Sequence, residues 1–163
     1  MAVKKILLMP KSEDVLTTRA VPVTLDDPQL SKIVTDLKDT IMATDNAVGL
    51  AAPQIGYLKR VFVLRRDYIQ QDIDPASEIA GSDEPVLVFI NPKIISEKGQ
   101  LFQEEGCLSV PDEYIKIKRS RVVKVKAFDE SKQQFHVRLE NLGSRAVQQE
   151  IDHLNGVLII DHQ

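Results

Sequence analysis

Apolar residues recur at helical spacing in two places. Leu30, Ile33, Val34, Leu37 and Ile41 mark one face of a helix. Asp26-Asp27-Pro28 opens it with a capping carboxylate and an early proline, and it fades by Thr44-Asp45-Asn46. Leu142, Ala146, Val147, Ile151 and Leu154 mark a second helix over about residues 142–154, with Asn155-Gly156 as its stop. Elsewhere the pattern is that of strands. Residues 61–64 and 86–90 are apolar runs of the buried kind. Asn91-Pro92 is predicted to stop the second run, with Ile94-Ile95 as a continuation. Residues 101–108 read as extended. Residues 114–118, 122–128 and 135–139 alternate in polarity, the last two joined by a turn at 129–132. Residues 157–160 read as a final short strand. Residues 65–85, polar and broken by Pro75, Gly81 and Pro85, read as a surface loop. Residues 1–25, with Pro10 and Pro22, read as an irregular arm. Residues 47–56 are small and apolar and end in glycine, a composition that lets backbones approach closely.

This order of elements, without repeats or a composition break, predicts one α+β domain over 1–163, with short, mostly antiparallel strands around a late helix. Hydrophobic content of 43% and charged content of 28% are ordinary for a globular chain. A net charge of -3 gives no electrostatic case for nucleic acid or a membrane surface. No apolar run is long enough for a signal-peptide core or a bilayer span. The expected location is the cytoplasm or an organelle matrix. Cys107 is the one cysteine, so no internal disulfide is possible and the thiol is free for metal or redox chemistry.

The late helix carries Gln149-Glu150-Ile151-Asp152-His153. This is H-E-x-x-H with glutamine at the first position. On a helix, residues 149 and 153 lie one above the other, roughly 6 Å apart along the axis, so both can reach one metal. Glu150 projects beside them, where a carboxylate can take a proton from water. On its own the string also fits a solvated helix face, with His153 favoured by the C-terminal dipole. Cys107 adds weight, because it follows a glycine and a charged pair instead of lying among apolar neighbours. A packed core thiol and a metal-binding thiolate both remain open at this point.

Three stretches together resemble the peptide deformylase family. Its marks are G-x-G-x-A-A-x-Q, E-G-C-x-S and H-E-x-D-H, in that order. Here they read Ala47-Val48-Gly49-Leu50-Ala51-Ala52-Pro53-Gln54, Glu105-Gly106-Cys107-Leu108-Ser109 and Gln149-Glu150-Ile151-Asp152-His153. The resemblance implies hydrolysis of the N-formyl group from the first methionine of new polypeptides, with N-formylmethionyl peptides or nascent chains at the ribosome as partners. It implies Cys107, His153 and residue 149 as ligands of one Fe²⁺ or Zn²⁺, with water completing a tetrahedron. It assigns Glu150 as general base and then acid, and Gln54 with the Leu108 N–H as oxyanion donors. By position, Val48, Gly106, Leu142 and Ala146 would wall a methionine pocket, and Gly49 and Gly106 would admit a peptide in strand fashion. Asp152 would brace a neighbouring group.

Two positions depart from the family pattern. Ala47 replaces the first glycine, which is tolerable only where φ stays negative. Gln149 replaces an imidazole by a neutral, hard amide donor, a poor ligand for either metal. Two functions follow from this. One is a deformylase-like hydrolase of reduced activity. The other is a weakened relative that binds formyl-peptides or chain N-termini. His136, in a predicted strand, and His162, at an end expected to fray, are the remaining histidines that could replace a ligand.

Overall fold

Every residue from 61 to 64 is apolar, so a strand there needs cover on both faces. The computed structural model, which describes residues 3–163, meets this with an antiparallel sheet between two helices. The first two residues of the predicted arm lie outside the described residues. In chain order the elements are α1 (Glu13–Leu16), α2 (Leu30–Met42), β1 (Gly49–Ala51), β2 (Val61–Arg65), α3 (Arg66–Ile69), β3 (Val86–Lys98), β4 (Leu101–Cys107), β5 (Val110–Arg119), β6 (Val122–Phe128), β7 (Gln134–Glu140) and α4 (Asn141–Leu154). Five strands pair in the order β1-β2-β3-β6-β7, and β4-β5 forms a separate hairpin. The two-residue period sorts the side chains. Val61, Val63, Val86, Val88 and Ile90 pack with Ile33, Leu37 and Ile41 of α2. Phe62, Leu64, Leu87 and Phe89 pack with Val147 and Leu154 of α4. The Phe62 and Phe89 rings stack with centroids 4.6 Å apart. A third cluster joins Val110, Ile115 and Ile117 of β5 to Leu16, Leu158 and Ile159. No helix among the described residues is long and apolar enough to cross a membrane.

Four expectations are corrected. Asn91-Pro92 does not stop β3, which continues to Lys98. The register shifts between Ile90 and Lys93, Asn91 takes φ 51°, and its amide bonds Val23 N and Val23 O. Such a bulge takes the residue without an N–H out of the ladder. Residues 157–160 form no strand; Ile159–His162 is a 3₁₀ turn, and its apolar residues are buried by the hairpin instead of by strand pairing. The 65–85 stretch is only partly a surface loop, because Arg66, Ile69, Asp72 and Ile73 are buried. Asp72 Oδ2 accepts the Gly143 N–H at 3.0 Å and so caps α4, whose own N-cap residue Glu140 makes no side-chain cap. Finally, α2 begins at Leu30 and not at Asp26. The Asp27 carboxylate accepts Gln29 N at 2.8 Å in the turn before it.

Candidate active site

α4 buries Ala146, Val147 and Leu154, and with them Gln148, Glu150 and His153. Buried polar groups normally find partners. Gln148 does, on Ser120 N, Ser120 O and Ser144. Glu150 Oε1 and His153 Nδ1 have none among the described residues. These unsatisfied atoms mark the side of α4 around which other elements gather. The β4–β5 hairpin brings Cys107 to its tip, with Sγ 3.4 Å from His153 Nε2. The 3₁₀ turn after β1 brings Gln54, whose Oε1 accepts Ala51 N at 2.9 Å. That anchor leaves Gln54 Nε2 to donate to Ser109 Oγ at 3.1 Å and to lie 3.9 Å from Cys107 Sγ. Gly49 lies so close to α4 that a Cβ there would sit 2.9 Å from Glu150 Oε2. The Leu108 N–H has no protein acceptor among the described residues.

Burial dominates the electrostatics. It pushes the Glu150 carboxyl up to about 8, with Arg119 opposing the shift and Glu105 and Asp152 adding to it. It lowers His153 to about 4, so the imidazole is neutral. It pushes the Cys107 thiol up to about 12 against the pull of the Ser109 and Val110 N–H groups. A thiolate here therefore needs a nearby cation. Beside the cleft, burial works against the Glu105 carboxylate, but the Arg119 guanidinium holds it below its ordinary range. Arg119 donates to Glu105 at 2.8 and 3.0 Å and to Asp152 at 2.6 Å.

A cleft of about 600 Å³ runs over these groups. Its walls include Val48, Gly49, Gly106, Leu142 and Ala146, together with Gln54, Cys107, Leu108, Gln149 and Glu150. All the residues singled out for substrate and catalysis thus meet in one place, with His153 beneath Cys107. Gln149 turns its amide nitrogen to Glu105 Oε1 at 3.0 Å and to Gly106 O at 3.3 Å. Asp152 braces Arg119 and not His153, and also meets His162 Nε2 at 2.9 Å. His162 is therefore tied down, contrary to the fraying expected of it. His136 sits beside Glu78 on β7, and neither histidine lines the cleft. Ala47 is buried without positive φ, so its departure from glycine is conformationally mild. Sequence reasoning missed Arg119 and Arg145. Arg145 lines the cleft and donates to Gln103 Oε1 at 2.7 Å and to Glu104 O at 3.0 Å. Cations on an alternating strand and on a helix read as solvated, and no local signal marks them otherwise.

A family model described as polypeptide deformylase matches residues 3–163. The chain belongs to that family. It is 40% identical over 158 residues to peptide deformylase 1 of Bacillus subtilis, covering 97% of this chain and 88% of the relative. It is 42% identical over 135 residues to peptide deformylase 1 of Clostridium perfringens, covering 83% and 82%. The structure of a class I type b peptide deformylase from Acinetobacter baumannii with Met-Ala-Ser bound superposes with a TM-score of 0.81, at 30% identity and 100% coverage of both chains. The α+β fold is thus that of the deformylases.

The divalent ion that this family implies can be tested against the groups present. A tetrahedral zinc with Zn–S of about 2.3 Å and Zn–N of about 2.0 Å sets sulfur and nitrogen about 3.5 Å apart. The 3.4 Å between Cys107 Sγ and His153 Nε2 agrees. Among the described residues, however, no group of three His, Cys, Asp or Glu side chains is placed to hold one ion. The third position that the family pattern implies falls on Gln149, whose amide nitrogen is held by Glu105 and which has only its oxygen to offer. Cys107 and His153 therefore fit one ion, and Gln149 would add at most a weak donor.

Proposed function

We propose that this cleft hydrolyses the formyl amide at the start of N-formylmethionyl chains, at a rate limited by Gln149. The observation that carries the reading is the convergence of a buried, unpartnered Glu150, the Gln54 amide and the Cys107–His153 pair in one cleft. Cys107 and His153 would hold one divalent ion, Fe²⁺ or Zn²⁺, with the Gln149 amide oxygen as a weaker third donor. When bound, the ion supplies Lewis acidity that polarises a carbonyl and lowers the pKa of water.

The chain's own residues do the rest. Glu150, raised to about 8 by burial, takes the proton of the attacking water when ionised and returns it to the leaving amine. The Gln54 Nε2 hydrogen not given to Ser109 and the Leu108 N–H, without an acceptor among the described residues, stabilise the oxygen that gains charge. Val48, Leu142 and Ala146 give the methionine side chain an apolar wall, and the Gly49 and Gly106 backbones take the peptide as an added strand. The substrates are nascent chains, met where they are made. The alternative of a binding module without chemistry finds no support in the cleft or in the relatives.

The test compares this protein with Gln149→His, both purified anaerobically, by elemental analysis and by hydrolysis of formyl-Met-Ala-Ser. One metal ligand is worth several kcal/mol, so the variant should gain metal occupancy and about 100-fold or more in kcat/KM. Full occupancy and turnover before the substitution would overturn the limiting role of Gln149. Absence of both in either protein would overturn the hydrolase reading.

A further inference from the structure

The sheet carries a second arrangement that the hydrolase chemistry does not use. β6 runs between β3 and β7 in its open half. Val123, Val125 and Ala127 of β6 belong to the α4-side core, so Lys124 and Lys126 point to the opposite face. The register places Lys93 and His136 on either side of Lys126, and Ser96 and Arg138 on either side of Lys124. Lys98 stands one row further on, opposite Val122. The helix on this face, α2, packs over β1, β2 and the first half of β3. Lys93, Lys98, Lys124 and Arg138 are exposed, and Lys126 is half-buried.

Among the described residues, none of Lys93, Lys124, Lys126 and Arg138 has an acidic partner at ion-pair distance. Glu78 lies against His136 at the β7 edge, and Glu140 stands in the outermost row opposite Val122. Like charges directly opposite each other on an antiparallel pair are destabilising. Here there are two such pairs side by side, Lys93 opposite Lys126 and Lys124 opposite Arg138. Solubility alone asks for charge on an open face, but not for this arrangement. A net charge of -3 averages over the whole surface and hides it.

The geometry points to this face as a docking surface for the phosphate backbone of single-stranded RNA. The cations stand at neighbouring ladder positions, spaced about 4.8 Å across strands and about 6.8 Å along them. Among the described residues no Phe, Tyr or Trp stands between these cations to stack on a base or anchor a protein, and the His136 ring beside Lys126 lies against Glu78. Protein interfaces deplete lysine and enrich aromatics at their centres, whereas phosphate contacts are led by Lys and Arg and need no ring. Ile95 is a single exposed apolar residue beside the grid, too little to seat in a bilayer. The proposal rests on the hydrolase reading only in choosing RNA over DNA, since the substrates of that reading are made on RNA.

Fluorescence anisotropy with a labelled 20-nucleotide oligouridine tests the proposal. Four engaged cations give a log–log salt slope of about -2.8, so binding should weaken about 50-fold between 50 and 200 mM salt. Lys124→Glu with Lys126→Glu should weaken binding at 50 mM salt by about tenfold or more. It should not lower the melting temperature, because the new carboxylates face Lys93 and Arg138 as unlike pairs. Lys116→Glu with Lys118→Glu makes the same change of net charge on β5 and should leave affinity within about twofold. Three results would overturn the proposal: no RNA binding at 50 mM salt, equal loss in both double variants, or tighter sedimentation with phosphatidylserine vesicles than binding to RNA. Hydrolysis is not read in this experiment, so its failure leaves the activity proposal standing.

Discussion

At Glu150 burial raises the carboxyl to about 8, and at His153 it lowers the imidazole to about 4. Both shifts favour the neutral form in the folded chain. For Glu150 the stabilisation is complete below the unfolded value of 4.5 and is lost as pH rises through about 8. For His153 it is present above 6.5 and lost as pH falls through about 4. Glutamine mimics the protonated glutamate, so Glu150→Gln should remove the first loss. In thermal melts of metal-free protein, the variant should match the wild type near pH 4.5 and exceed it by about 5 °C or more at pH 8.5. An equal difference at both pH values would sink the assignment. Cys107, Glu150 and His153 were legible in the sequence because each lies in a short string of restrictive types. Arg119 was not, since nothing near it in the chain shows that Glu105 and Asp152 will surround it.

α4 carries three of the named groups, and its two ends show how an element is held. The C-terminal end was readable from Asn155-Gly156. Gly156 takes φ 75°, and a Cβ there would sit 2.6 Å from Thr17 O. Gly156→Ala should therefore cost about 1–3 kcal/mol, through left-handed strain and the clash with the arm. A urea midpoint that falls with an unchanged slope would confirm it, and an unshifted midpoint would refute it. The long-range caps were not readable. Asp72 reaches Gly143 across 71 residues, and the Arg60 guanidinium reaches Leu154 O across 94 at 2.9 Å. Local patterns carry no record of such distances. β3 teaches the same lesson, because Pro92 stops a strand only where the ladder cannot bulge around it.

Across the whole molecule, Arg119 ties the β4–β5 hairpin to α4. Its side chain and that of Glu105 are 4% and 3% exposed, and Asp152 completes the bridge. Removing the cation leaves Glu105 buried with only the Arg145 guanidinium, 3.6 Å away, as counter-charge, so Arg119→Ala should cost about 3 kcal/mol. The double variant Arg119→Met, Glu105→Gln should recover much of that loss in guanidinium unfolding. No recovery would mean that packing, not charge, is what Arg119 supplies.

Sequence alone determined the two amphipathic helices, most strands, the α+β class and the membership signalled by three short stretches. Those features depend on periodicity and on residue types at close spacing, which a linear string preserves. Only the tertiary structure decided which buried groups stay unpartnered, that the group Asp152 braces is Arg119, that Gln149 gives its amide nitrogen to Glu105, and that Lys93, Lys124, Lys126 and Arg138 share one open face. Each of these is set by strand register and helix placement between residues far apart in the chain.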